Sequence, residues 1–202
     1  ISIAGPNASD ADIQQIRRAY DLDRPLLAQF VNWASHAVTG DLGDSFFFKE
    51  KVTKLLAERL PITLTLGVLG MAVALLISLP LGMLAALNEG RLVDRLVLVV
   101  ATLGQAVPSF WLALILMIVF GLHLGLLPIS GTGTWQHLVM PSLVLGFSAV
   151  PALTRLTRSG MVRALASDYV RTARSKGLSL ASIVLKHALR NAAIPIVSIA
   201  AV

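Results

Sequence analysis

ITLTLGVLGMAVALLISLPLGMLAAL, residues 62–87, runs for 26 residues without a charged side chain. As a helix rising about 1.5 Å per residue, it is long enough to cross a hydrocarbon core about 30 Å thick with some tilt. Pro80 removes one backbone hydrogen bond, which predicts a kink near the end. Further apolar runs follow at roughly Leu96–Leu122 and His137–Leu153, the latter interrupted by Pro141 and Pro151. A fourth begins near Ala192. These runs predict an all-α, polytopic transmembrane helical bundle. The chain does not open with Met, and Ile194–Val202 is apolar to its end. The expectation is therefore a fragment lacking the first and last spans.

Composition agrees with a membrane chain. Hydrophobic residues make up 55% and charged residues 14%, with a mean hydropathy of +0.76, whereas soluble domains carry about a quarter charged residues. There is no cysteine, so neither disulfides nor thiolate metal sites arise. The net charge of +6 raises the question of nucleic acid, and its distribution answers it. Residues 1–61 hold seven Lys/Arg against eight Asp/Glu, and the loop 88–95 is balanced. Residues 155–190 hold eight Lys/Arg against Asp168 alone. The excess sits in one loop between apolar runs, as expected of a cytoplasmic loop. No aromatic platform accompanies it, so nucleic acid is excluded as a partner.

Topology follows from the same charges. The loop His123–Gln136, HLGLLPISGTGTWQ, contains no Lys or Arg and reads as external. Loops 88–95 and 155–191 then fall in the cytoplasm and residues 1–61 outside, giving two regions: an extracytoplasmic helical segment, 1–61, and a truncated transmembrane domain, 62–202. In the first region Ser9 reads as an N-cap, with Asp10 and Asp12 in the first turn. Ile13, Ile16 and Tyr20 recur at helical spacing. Pro25 suits a first helical position. Leu26, Leu27, Phe30, Val31, Ala34 and Val38 give the next helix an apolar stripe that Gly40 can end. A short helix is expected over Lys51–Leu60. These stripes read as packing surfaces, with docking of an outside partner as the alternative.

Little in the chain points to catalysis. There is no P-loop, GxGxxG, HExxH or GxSxG, and His36, His123, His137 and His187 are scattered. No metal-ligand spacing or acid–base pair emerges. The expected spans hold no Asp, Glu, Lys or Arg, which argues against a self-powered, ion-coupled carrier. Their polar patch is Gln105–Ser109, QAVPS. Gln105, Pro108 and Ser109 either bond between helices or line a translocation path. Gly121 and Gly125 form a GxxxG that reads as close packing or loop geometry.

The segment Asp168–Pro195, DYVRTARSKGLSLASIVLKHALRNAAIP, is basic and helix-prone. Ser167 can cap a helix through Arg174 with Asp168 at its positive end, Gly177 breaks it, and Ser179 can cap a second helix, Leu180–Arg190. The residues alone leave two readings open: a grip for a soluble partner, or an amphipathic helix held to anionic lipid.

The segment resembles the cytoplasmic EAA loop of binding-protein-dependent ABC transporter permeases, whose pattern is E-A-A-x3-G-x9-I-x-L-P. Aligned on Gly177, only Ala173, Gly177 and Leu189 match it; Arg171 and Thr172 replace the E-A, and His187 and Arg190 replace the I and P. The departures are similar to the dipeptide/oligopeptide/nickel subfamily, which reads close to DYVRTARAKGL…HALRNAxxP. DLDRPLLAQF (21–30), GDLGDSF (40–46), ERLPITLTLG (58–67), VPSFWLAL (107–114) and LTRSGMVRAL (156–165) resemble it too.

The resemblance implies the first permease of a pair, in a type I importer (MetI-like) fold in a prokaryotic cytoplasmic membrane. Its implied partners are a second homologous permease, two ATP-binding cassette subunits and an extracytoplasmic solute-binding protein. ATP and magnesium would be bound by the partners, and this chain would carry no cofactor and no enzyme activity of its own. Asp168, Arg171, Thr172, Ala173, Arg174, Lys176, Gly177 and Leu178 would couple to the ATPase. With Arg171 in the usual acidic position, the general family's salt bridge is not expected. The implied cargo is a dipeptide or oligopeptide, with nickel, glutathione or another small solute as the alternative.

Overall fold

Helices account for all the regular structure among the described residues of the computed structural model, which are 22–45 and 47–192 with Ala11 and Gln14. The expectations at Ser9, Asp10 and Asp12, at Ile13, Ile16 and Tyr20, and in the fourth span beyond Ala192 lie outside the described residues. The chain divides into two compact units, 1–63 and 64–202.

In the first unit, α1 spans Leu26–Val38. Pro25 is its cap rather than its first helical residue, with ψ at 142° and its carbonyl accepting from Gln29 N–H at 3.1 Å. Gln29 Nε2 also donates to the Arg24 carbonyl at 2.8 Å, closing the entry turn. Gly40 ends the helix as expected. Its φ is +87°, its N–H donates to Ala37 O, and Asp41 N–H donates to His36 O. This crossed pair of bonds is the Schellman arrangement. The stripe itself is solvent-facing: Leu26, Leu27, Phe30, Val31 and Val38 are all exposed. Asp44 and Lys51 are joined by one antiparallel bridge.

The short helix expected over Lys51–Leu60 is the start of something longer. α2 runs unbroken from Val52 to Leu87, 36 residues, straight through Pro61 and Pro80. A proline costs one hydrogen bond inside a helix, which does not end it where the flanking turns continue.

In the second unit, α2 buries a single file of small residues. Gly70, Ala74, Ser78, Gly82 and Ala86 recur every fourth position, joined by Ala85. α5, Gln136–Leu165, faces it with Ser142, Gly146, Thr154 and Thr157 among its buried residues. The backbones come so close that side chains are excluded. A methyl added at Gly82 would lie 2.5 Å from Thr157 Cβ and 2.9 Å from the Thr154 carbonyl oxygen. One added at Gly146 would lie 2.7 Å from the Gly70 carbonyl oxygen. Lipid tails are as apolar as leucine, so burying leucine gains little in a bilayer; close van der Waals contact between small residues holds such helices together. Larger side chains fill the space beside the file, where Ala74, Val150 and Leu153 form one cluster and Ala86, Met161, Ala164, Val184, Ala188 and Ala192 another.

The outward faces are apolar. Val68 is 69% and Leu76 74% exposed on α2, which suits hydrocarbon and not water. By length and composition α2 and α5 can each cross a membrane, and the two bent helices between them, Leu92–Ala106 with Ser109–His123, make a third candidate.

Three expected boundaries change. α5 is not interrupted at Pro141 or Pro151 and runs on to Leu165, so the first third of the loop placed at 155–191 is helix. The second run is not one straight span. α3, Leu92–Ala106, and α4, Ser109–Leu116 with its π-helical continuation Met117–His123, meet at 90°. Pro108 is the cause: it cannot donate to the preceding turn, and Val107 before it is driven to extended backbone, with ψ at 117°.

Gly82→Ala is expected to cost about 1–3 kcal/mol through overpacking. Gly67→Ala on the same helix, where an added methyl meets nothing within 4 Å, should cost nothing. Thermal unfolding of the two variants in detergent micelles separates the outcomes.

Candidate functional site

Beyond α5 the chain turns through Ser167 into α6, Asp168–Ser175. Ser167 holds the N-cap position, yet its hydroxyl does not cap; it donates back to the Ala164 carbonyl at 2.5 Å. Asp168 occupies the first turn, as expected, and favours the helix dipole there. Lys176 ends the helix, with its N–H donating to Thr172 O at 3.2 Å. Gly177 then takes a φ of +76°, and Leu178 N–H reaches back to Ala173 O at 3.2 Å. Ser179 caps the next helix as expected, its hydroxyl accepting from Ser182 N–H at 3.4 Å. α7 begins as Leu180–Ser182 and continues as the π-helical segment Ile183–Ala188.

α6 has two chemically different sides. Val170 and Ala173, three residues apart, are buried against Ile183 beside Leu165. Asp168, Arg171, Thr172, Arg174, Lys176, Gly177 and Leu178 are all exposed. Of the eight residues expected to contact a partner, seven therefore face outward together. Ala173 does not: it lies beneath, fastening α6 to α7. The Arg171–Asp168 pair at 2.9 Å is almost wholly exposed. A pair in that setting contributes little to stability and is free to exchange partners.

Two further contacts tie this region to the rest of the second unit, and neither was foreseen from the sequence. Arg158, three turns before α6, makes a forked bond to Asp94 at the start of α3. Nε lies 2.5 Å from Oδ1 and Nη2 2.7 Å from Oδ2. Gly90 N–H donates to the same carboxylate at 2.9 Å, and Asp94 is 3% exposed. The second contact is Arg155 Nη2 donating to Gln105 Oε1 at 3.1 Å. Gln105, Pro108 and Ser109 are brought together at the α3–α4 break, all exposed. Arg155 and Arg158 were both placed in a loop by sequence; each stands on α5. Their signal was an arginine pair three apart, the spacing that puts two side chains on one helix face.

Residues 78–202 match the model of the family described as binding-protein-dependent transport system inner membrane component. The chain belongs to this family. It is 42% identical over 196 residues to the glutathione transport system permease protein GsiC of Escherichia coli strain CFT073. It is 41% identical to the proteins of that name from Salmonella typhimurium LT2 and E. coli K12. Those matches cover 97% of this chain and 64% of each relative, so the chain spans a little under two thirds of their length. Membership makes it an inner-membrane component of the binding-protein-dependent transport type, and the long apolar helices α2 and α5 suit that place.

The Asp94–Arg158 fork ties α3 to α5. Asp94→Asn should destabilise the subunit by about 3 kcal/mol, because it leaves a guanidinium in a site shaped for a carboxylate. Adding Arg158→Gln should cost less than the sum of the single changes. A double-mutant cycle on thermal unfolding measures that coupling.

Proposed function

We propose that the chain forms the membrane path of an ATP-driven importer, coupled to separate ATPase subunits through the outward side of α6. The observation that carries this reading is the hairpin itself. Its apolar side is spent on the subunit's own α7, while Arg171, Arg174 and Lys176 remain outward. A helix so anchored transmits a push from outside into α5 through Ser167, and from α5 into α3 through the Asp94–Arg158 fork. ATP-driven closure of the partner ATPases would move α6, and the α3–α4 break would open or close in response.

In this reading the chain beyond α5, residues 166–191, and the loop 88–91 before α3 lie in the cytoplasm, and residues 1–61 lie outside. A second homologous permease completes the path. Two ATP-binding cassette subunits bind ATP and magnesium, and an extracytoplasmic solute-binding protein delivers the cargo. Gln105, Pro108 and Ser109 lie along the path. The cargo is a small peptide or peptide-like solute. The relatives' names favour glutathione, itself a tripeptide, over the dipeptides and oligopeptides that the motif alone suggested; nickel is the remaining member of the subfamily.

Two outcomes test this. At Gly177 an added methyl meets nothing within 4 Å, so substitution there acts through backbone strain alone. A residue with a β-carbon is held at positive φ at about 1–2 kcal/mol, and asparagine tolerates it best. Gly177→Val should lower solute uptake per ATP hydrolysed more than Gly177→Asn, with the complex intact. Normal coupling in Gly177→Val would sink the assignment. For cargo, proteoliposomes holding the full complex with its binding protein should take up glutathione in preference to a dipeptide. Uptake of nickel alone would keep the architecture and remove the peptide reading.

A further inference from the structure

The break between α3 and α4 carries more chemistry than a bend requires. Two helix ends meet at Val107–Pro108, and each leaves backbone groups without helical partners. Val107 N–H to Gly104 O and Leu112 N–H to Pro108 O meet part of that need. Irregular backbone in a membrane-spanning stretch persists only where protein covers it or water reaches it. Gln105, Pro108 and Ser109 are exposed within this subunit, and apolar residues flank them, with Val100, Leu103, Phe110 and Trp111 all exposed.

Arg155 is the cation at this break. It is half-buried and bonded to Gln105, and no carboxylate among the described residues forms an ion pair with it. Arg158, three residues further on, has Asp94; among the described residues Arg155 has an amide oxygen in that place. An arginine in an apolar stretch faces the interior of an assembly or a water-filled cavity and marks a pathway for solute.

The pairing also fixes which atoms are offered. Gln105 Oε1 is turned to Arg155, so the amide presents its NH2 away from it, and the guanidinium presents its remaining N–H groups. The cluster is rich in donors and poor in acceptors. It matches a carboxylate, which a guanidinium binds through two parallel bonds.

We propose that Arg155 and Gln105 form a recognition point on the path for the carboxylate of the transported solute. This rests on the importer reading above and extends it from a list of path residues to a binding chemistry. A peptide presents a terminal carboxylate and glutathione presents two. Arg155 would draw either toward the break and release it when the α3–α4 break changes its opening.

The test uses the complete transporter in proteoliposomes with saturating solute-loaded binding protein, and glutathione and dialanine as probes. R155Q should lower uptake of whichever peptide the wild type carries by about ten-fold or more, the loss expected of a charge-assisted hydrogen bond. R155K should recover most of it. Assembly and ATPase stimulation by the binding protein should remain in both, so that solute moved per ATP falls in R155Q alone. R163Q, at an exposed arginine of the same helix, should match the wild type.

R155Q uptake within about two-fold of wild type, less than one such bond contributes, overturns the proposal and leaves the importer standing. Loss of assembly in R155Q overturns it in favour of an ion pair with the second permease. A wild type that carries nickel and neither peptide overturns the peptide cargo and the carboxylate site together, at a step before any variant is examined.

Discussion

Everything in the second unit is positioned by the close approach of α2 and α5. In water, helices are driven together by burying large apolar side chains. In a bilayer the surrounding tails solvate those side chains equally well, so that drive is missing. What remains is contact density, which rises as backbones approach. Gly70, Ala74, Ser78, Gly82 and Ala86 clear one side of α2 of bulk, and Gly146, Thr154 and Thr157 fit against it. The same logic explains why so many leucines and valines lie on the outside. They are in their preferred solvent there, and the small residues form the interior.

That joint seats α5, from which several long-range contacts are made. Along its length it presents Arg155 to the break, Arg158 to Asp94, and Met161 and Ala164 to the core shared with α7. The helix then turns directly into α6. A displacement applied at α6 has a short, packed route to the α3–α4 break, 50 residues distant in sequence at the Gln105–Arg155 contact. The two arginines have different surroundings. Arg158 is forked onto a nearly buried carboxylate that a backbone N–H also holds, an arrangement suited to a fixed joint. Arg155 holds one neutral acceptor at a half-open position, an arrangement suited to exchange.

The hairpin of α6 and α7 divides its labour in the same way. Val170, Ala173 and Ile183 hold it to its own subunit, and the charged residues have no packing duty. The surface ion pair between Arg171 and Asp168 adds little to that hold, because an exposed pair contributes little to stability.

Much of this was legible without coordinates. The long uncharged run 62–87 already implied a spanning helix, since no other structure satisfies so much backbone in hydrocarbon. Gly40 and Gly177 were readable as helix stops because positive φ favours glycine, and Ser179 as a cap from its place before a helical run. The file of small residues in α2 was equally present in the sequence, spaced by four, and was passed over because an uncharged run reads first as hydrophobic rather than as patterned. Tertiary structure alone decided the rest. Whether Pro108 bends a helix by 90° while Pro80, Pro141 and Pro151 do not depends on what packs beside each. Whether an arginine after residue 154 lies in a loop or on a spanning helix depends on where α5 ends. Which acid meets Arg158 depends on two helices 64 residues apart crossing at one point. Local propensity is written in neighbouring residues, whereas a partner across the bundle exists only once the backbones have closed.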